Sequence, residues 1–226
     1  MHLFIGNKNY SSWSMRSWVL MRALGIPFEE EVLYFDSFEP GSSFKTKIST
    51  VNPTGRVPTL LVDGVAVWDS LTIAETLAEL FPHAGVWPSS TADRALARSL
   101  CAEMHAAYGS LRSLCPVNIE ASLSSIGAEL LAKEDGLHND IATLEMLLVP
   151  ALERSTSDFL FGKFCATDAF YAPVASRFKT YSLPASPTLL TYFERLLATA
   201  AVSEWVAGAL AEQRFVPFDE PYRSAR

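Results

Sequence analysis

The chain has 226 residues, 49% hydrophobic and 19% charged, which is ample for a sizeable core and unlike a disordered chain. A formal net charge of −7 argues against nucleic acid as a general partner, since phosphate binding needs clustered Lys and Arg; small anionic ligands, which read local charge, are not excluded. Cys101, Cys115 and Cys165 form no C-x-x-C pair and no ligand set with the four histidines, so neither a disulfide framework nor a zinc site is indicated. Residues 1–6 lack the apolar length and basic flank of a signal peptide. No run approaches the ~18 apolar residues of a membrane span. A cytoplasmic protein with no membrane contact is expected.

The first eighty residues mix strand and helix signals. Leu3-Phe4-Ile5 reads as a short buried strand. Apolar residues then recur at Met15, Trp18, Val19 and Ala23, one face of a helix from about Ser12 to Leu24 that Gly25 and Pro27 stop. Phe28 to Phe35 is a second strand, followed by a mixed segment. Thr59–Val62 and Val65–Trp68 flank Asp63-Gly64, a favoured two-residue hairpin turn. Leu71, Ala74, Leu77, Ala78 and Phe81 mark a helix ending before Pro82. Residues 82–90 hold Pro82, Gly85 and Pro88 and read as an interdomain linker, dividing the chain into 1–82 and 89–226. Beyond it the pattern is helical: 92–114, 137–153 with Pro150 expected to kink or end it, 167–181, 186–198 and 202–211. The last carries a stripe of Val202, Trp205, Val206, Ala209 and Leu210.

One stretch carries chemistry. In Val51-Asn52-Pro53-Thr54-Gly55-Arg56-Val57-Pro58-Thr59-Leu60-Leu61 a Val-Pro step lies between a glycine turn and an apolar run, and Asp69-Ser70 opens the next helix. Proline lacks a backbone donor and permits a cis peptide before it, which leaves the N–H and C=O of Val57 free. Those groups can pair with an extended peptide-like ligand as a further strand would. An acid-hydroxyl pair at a helix N-terminus suits a carboxylate. Together they outline a pocket for a small, acidic, peptide-like molecule.

The strand–helix–strand start, the Val-Pro before a hairpin, the acid-Ser pair and the all-helical second half resemble the cytosolic glutathione transferases over essentially the whole chain. Ser11-Ser12-Trp13-Ser14-Met15-Arg16 resembles the Ser-Ser-x-Ser-x-Arg segment of zeta-class members, with Trp13 where zeta-class isomerases carry cysteine. The resemblance implies an α/β thioredoxin-like domain joined to an all-α helical bundle, a homodimer, glutathione as co-substrate and no metal. It implies a detoxifying transferase that adds the glutathione thiolate to an apolar electrophile. A zeta-like isomerase of the maleylacetoacetate type, a glutathione peroxidase and a non-catalytic ligand carrier stand as alternatives.

By the same resemblance Ser11 donates to the glutathione sulfur, with Ser12 and Ser14 as proxy donors within one turn and Tyr10 within reach. Val57, before cis-Pro58, pairs with the cysteinyl unit, and Asp69 and Ser70 hold the γ-glutamyl end. Trp13, Arg16, Ser43 and Arg56 complete the binding set. Arg177 matches a zeta-class arginine that meets carboxylates of the second substrate. Met104, His105, Tyr108 and Arg112 recur along the first helix of the second domain; Tyr108 and Arg112 are electrophile-site candidates, and His105 reads mainly as packing. Gly162–Asp168 resembles the family's capping segment, with Cys165 in place of the capping hydroxyl. Either Thr167 caps a shifted helix, or Asp168 carries the local network. The reaction needs a thiolate, because a free thiol of pKa ~8.5 is a poor nucleophile.

Overall fold

A computed structural model describes residues 1–155 and 157–226. Four strands form one sheet in the order β2-β1-β3-β4: β1 His2–Ile5, β2 Glu29–Val32, β3 Thr59–Val62 and β4 Val65–Val67. The helices are α1 Ser12–Ala23, α2 Ser43–Ser49, α3 Ser70–Leu80, α4 Thr91–Ala106, α5 Gly109–Leu114, α6 Ser124–Lys133, α7 Asp135–Arg154, α8 Ala166–Tyr181, α9 Pro187–Ala198 and α10 Ala200–Glu212. β1 runs parallel to β2 and antiparallel to β3. Parallel neighbours need a crossover, and α1 supplies it. The β3–β4 turn places Asp63 and Gly64 at φ +48° and +82°, as a tight hairpin requires.

The second strand is shorter than Phe28–Phe35. Only four residues pair, and Glu29, Glu30 and Glu31 are exposed. Three acids in a row at the sheet's edge discourage pairing with another chain. The mixed segment after it contains α2, whose Phe44 and Ile48 pack with Phe4 and Leu33.

α1 lies between the sheet domain and the helical domain, against α3 on one side and α8 and α10 on the other. Every residue from Ser14 to Met21 is therefore buried. A helix covered on both flanks has little amphipathic contrast, and the expected one-sided face was too narrow; Ala23, assigned to it, is exposed. One core runs from Leu3, Ile5 and Leu60 through Trp18 and Leu20 to Phe170, Tyr171 and Trp205.

The helical half differs from expectation at three points. The predicted 92–114 helix breaks at Tyr108, which takes a left-handed φ of +58°, so α5 leaves at a new angle. α6 was not anticipated. α7 begins two residues before the expected start at Leu137 and runs through Pro150 to Arg154. At the start of α8 the Asp168 carboxylate accepts the Cys165 N–H and the Tyr192 hydroxyl, both at 2.9 Å, so Asp168 carries the local network. Full burial pushes its carboxyl up to about 6. Cys101, Cys115 and Cys165 are all buried and free. No helix among the described residues is long and apolar enough to cross a membrane.

Candidate active site

The sheet domain and the helical domain enclose a cleft of about 690 Å³, within the range of small-molecule sites. The 10–13 segment, the 54–58 turn and Asp69 form one wall, and His105 and Arg112 face them.

Ser11 caps α1, its Oγ accepting the Ser14 N–H at 3.4 Å. The Ser11 and Ser14 hydroxyls share a hydrogen bond of 2.8 Å, and Ser14 Oγ accepts the Gly6 N–H at 3.1 Å. A hydroxyl has one proton to give. Fully buried Ser14 accepts both the Gly6 N–H and the Ser11 hydroxyl, so the Ser11 proton reaches a ligand in the cleft when its hydroxyl turns away from Ser14. Ser12 also lines the cleft. The three serines thus separate into two at the cleft wall and one behind it.

The loop that delivers Ser11 is held from the helical domain. Glu212 of α10 accepts the N–H of Lys8 at 2.7 Å and of Asn9 at 3.5 Å. Trp205 Nε1 donates to the Lys8 carbonyl at 2.9 Å. Lys8 Nζ lies 2.8 Å from Glu30 and 4.7 Å from the Trp18 ring centre. Tyr10 borders the cleft, but its hydroxyl is committed to the C-terminal segment 213–226. It donates to Glu220 at 2.7 Å and accepts the Val216 N–H at 3.3 Å. Burial, with the Glu220 contact adding, pushes the phenol up to about 12. That segment folds back over the opening: Phe218 meets Phe38 edge to face at 4.9 Å, and Asp219 reaches the cleft.

Beside the Ser11 loop on the same wall, the Val57–Pro58 peptide is cis. Neither backbone polar group of Val57 has a partner among the described residues. The Arg56 carbonyl takes bonds from Asn52 Nδ2 at 3.0 Å and Thr59 Oγ1 at 2.9 Å, fixing the turn. Asp69 caps α3 through Oδ1, which accepts the Leu71 N–H at 3.0 Å. The Ser70 hydroxyl is buried and has no partner among the described residues. Leaving such a group unmatched costs roughly 1–3 kcal/mol, so a ligand oxygen beside it would be stabilised. Exposed Arg56 lines the cleft. Ser43 does not: it is exposed, and its N–H goes to Asp36 at 2.8 Å. Lys45, one residue pair further along α2, is at the cleft instead, its Nζ donating to the Gly55 carbonyl at 2.8 Å. Phe35, Phe38 and Phe44 complete that end. Neither Lys45 nor Asp219 carries a local sequence signal; both arrive through the fold.

A second pocket of about 490 Å³ adjoins the first, sharing Tyr10, Ser12, Trp13 and Arg112 and adding Pro116 and Arg177. Trp13 stands at the junction, with the Arg16 guanidinium 4.2 Å and the Arg112 guanidinium 4.9 Å from its ring centre. Arg16 is wholly buried and donates only a long bond, 3.4 Å, to the Met104 carbonyl; its Nε and Nη1 have no partner among the described residues. Burial first, then the charges of Arg177 and Arg112, lower it to about 9. Arg177 donates to the Cys115 carbonyl at 2.8 Å, and burial with Arg112 nearby lowers it to about 10. No carboxylate pairs with Arg16, Arg112 or Arg177 among the described residues. Three guanidiniums without an acid make this region electropositive. Tyr108 is not there: it is buried in the core at the α4–α5 break and lines neither pocket.

A thioredoxin-like sheet domain and a helical domain that share a cleft define the two-domain architecture expected from the sequence. Residues 10–80 match the family model for the glutathione S-transferase N-terminal domain. A probable maleylacetoacetate isomerase of Caenorhabditis elegans is 35% identical over 95 residues, covering 40% of this chain and 42% of that protein's length. The maleylacetoacetate isomerase of Rattus norvegicus is 27% identical over 202 residues, 84% of this chain and 86% of the rat protein. A glutathione transferase homolog from Burkholderia gl BGR1, solved with bound glutathione, superposes with a TM-score of 0.70 at 24% identity, over 94% of this chain and 98% of the other. Residues 10–80 thus carry a glutathione S-transferase N-terminal domain, and the chain as a whole is similar to a maleylacetoacetate isomerase in sequence and to a glutathione transferase homolog in fold.

Proposed function

We propose that the chain binds glutathione in the larger cleft, ionises its thiol with Ser11, and transfers the thiolate to an electrophile held in the adjoining pocket. The observation that carries this reading is the convergence of Ser11, the free backbone of Val57 and the Asp69–Ser70 helix start on one cleft. Glutathione bound in the Burkholderia homolog and the isomerases among the relatives support it. Val57 pairs with the cysteinyl backbone, Ser70 and the α3 N-terminus take the γ-glutamyl carboxylate, and Lys45 and Arg56 lie where a second carboxylate is attracted. The Ser11 hydroxyl donates to the sulfur as the thiol proton leaves to solvent. The α1 N-terminus and buried Arg16 favour the resulting anion. A carbon–sulfur bond then forms, and the displaced pair of electrons leaves with the departing group or stays on the adduct. Metal is not required for these steps.

The acid-free arginines favour a second reading within the same chemistry, in which the electrophile bears carboxylates that Arg112 and Arg177 receive, as a zeta-like isomerase substrate would. Trp13 narrows that pocket where the zeta-class pattern has cysteine. A cytoplasmic homodimer acting in detoxification belongs to the proposal by resemblance.

The test is ultraviolet difference absorbance of the thiolate while glutathione is titrated across pH. A bound thiolate formed well below the free value of ~8.5 supports the enzyme reading. Binding without ionisation refutes it in favour of a carrier.

A further inference from the structure

His105, which reads from the sequence mainly as packing, bridges the domains at the cleft. From the last turn of α4, its Nε2 lies 3.2 Å from Asp69 Oδ2, while Asp69 Oδ1 is occupied by the α3 cap. The Trp13 ring holds the imidazole edge-on at 5.0 Å. His105 Nδ1 is buried with no partner among the described residues. At this separation a neutral imidazole that faces Asp69 presents its proton from Nε2 and keeps Nδ1 bare.

Resting on the glutathione reading above, we propose that His105 positions Asp69 as a neutral donor, leaving the carboxylate its full charge for the ammonium of the bound γ-glutamyl group. A carboxylate offers about four acceptor sites, so one bond from an uncharged imidazole orients it without neutralising it. Lysine at this place would orient it equally well but compete with the ligand's ammonium. Three charged groups face His105: Asp69 from α3, Arg16 from α1 and Arg112 from α5. A second proton would sit on Nδ1, which has no acceptor. Burial is the largest influence and lowers the imidazole pKa; both arginines act in the same direction, against Asp69. The neutral form therefore holds at pH 7. Acidification creates an imidazolium that repels the incoming ammonium.

The experiment is calorimetric binding of glutathione, and of an analogue lacking the α-amino group, to wild type, His105→Gln, His105→Ala and His105→Lys between pH 5 and 8. Gln keeps a neutral donor and should hold affinity within about twofold, whereas Ala should lose about fivefold, as expected for one bond to a charged acceptor in a half-exposed site. Lys should lose about tenfold or more. Wild-type affinity should fall with acid, and that of His105→Gln should not. None of these differences should appear with the des-amino analogue. Equal affinities among the variants, or the same losses with the analogue, overturn the inference while wild-type binding keeps the glutathione reading intact. Failure of wild type to bind glutathione at all overturns that reading first. Thermal melts of the variants identify any loss that comes from misfolding, and His105→Gln alone then decides through its pH profile.

Discussion

Replacing Ser11 with alanine separates the role the structure gives it, capping α1, from the one proposed for it, donating to the sulfur. The cap bond to Ser14 N–H is long at 3.4 Å, so its loss falls at the lower end of the usual range, about 0.5–1 kcal/mol. For a chain of this size that is roughly 1–4 °C in Tm. The donor bond to a thiolate is charge-assisted and contributes about 1.5–3 kcal/mol. At about 1.4 kcal/mol per unit, the bound thiol's pKa should rise by roughly one to two units. Thiolate absorbance of the glutathione complex across pH reads that shift directly, and a melt of the free protein reads the cap. Ser12→Ala, which leaves the cap intact, is the control. An unchanged ionisation curve in Ser11→Ala, with a shifted one in Ser12→Ala, would refute Ser11 as the donor to the sulfur. A lowered Tm alone would show only that Ser11 is an N-cap.

Arg177→Met should cost about 10–100-fold in kcat/KM for a dicarboxylate electrophile, the worth of one charge-assisted contact, and under about threefold for a neutral aromatic one; equal losses would remove the carboxylate assignment. Glu220 is pushed up by burial, but Arg223, Tyr10 and Asn118 outweigh this and hold its carboxyl below the ordinary value. Its stabilisation is therefore present above the unfolded pKa and lost as pH falls through the folded one. Glu220→Gln should melt lower than wild type at pH 7 by an amount near 2 kcal/mol, with the gap closing in acid; a gap independent of pH would contradict this. Gly127→Ala sets helix propensity against packing. Alanine is favoured by up to ~1 kcal/mol, but its Cβ would lie 1.9 Å from the Tyr181 carbonyl oxygen, which is backbone. Overpacking of about 1–3 kcal/mol wins, and denaturant unfolding should show net destabilisation.

Much of the wall formed by the sheet domain was legible because its structure is local. Val57-Pro58, the Asp63-Gly64 turn and Asp69-Ser70 each act through the backbone within a few residues, so spacing alone located them. The serine cluster was legible as a cluster, not as three roles: only the approach of Gly6 to Ser14 distinguishes the buried hydroxyl from the two at the wall. Tyr10 looked free because Glu220 stands 210 residues away. Tyr108 looked like a pocket residue on a continuous helix, and one left-handed backbone angle turned it into the core. Ser43 and Lys45 are two residues apart on a short helix, and which of them faces the cleft depends on how α2 is rolled against Phe4 and Leu33. Asp69 was legible as a cap, whereas its partner His105 belongs to a helix whose position follows from packing against α8.

The clamp of Glu212 and Trp205 on residues 7–9 bears on how the protein is born. The loop that carries Ser11 is made well before its partners, which lie 197 to 204 positions later. Strands and α1 can gather early, because their mutual contacts are close in sequence. That loop cannot be fixed until α10 has emerged, and Tyr10 waits longer still for Glu220. A nascent chain therefore carries the residues of the cleft wall long before it holds them in place, and the long-range closure follows the local one, as loop entropy dictates.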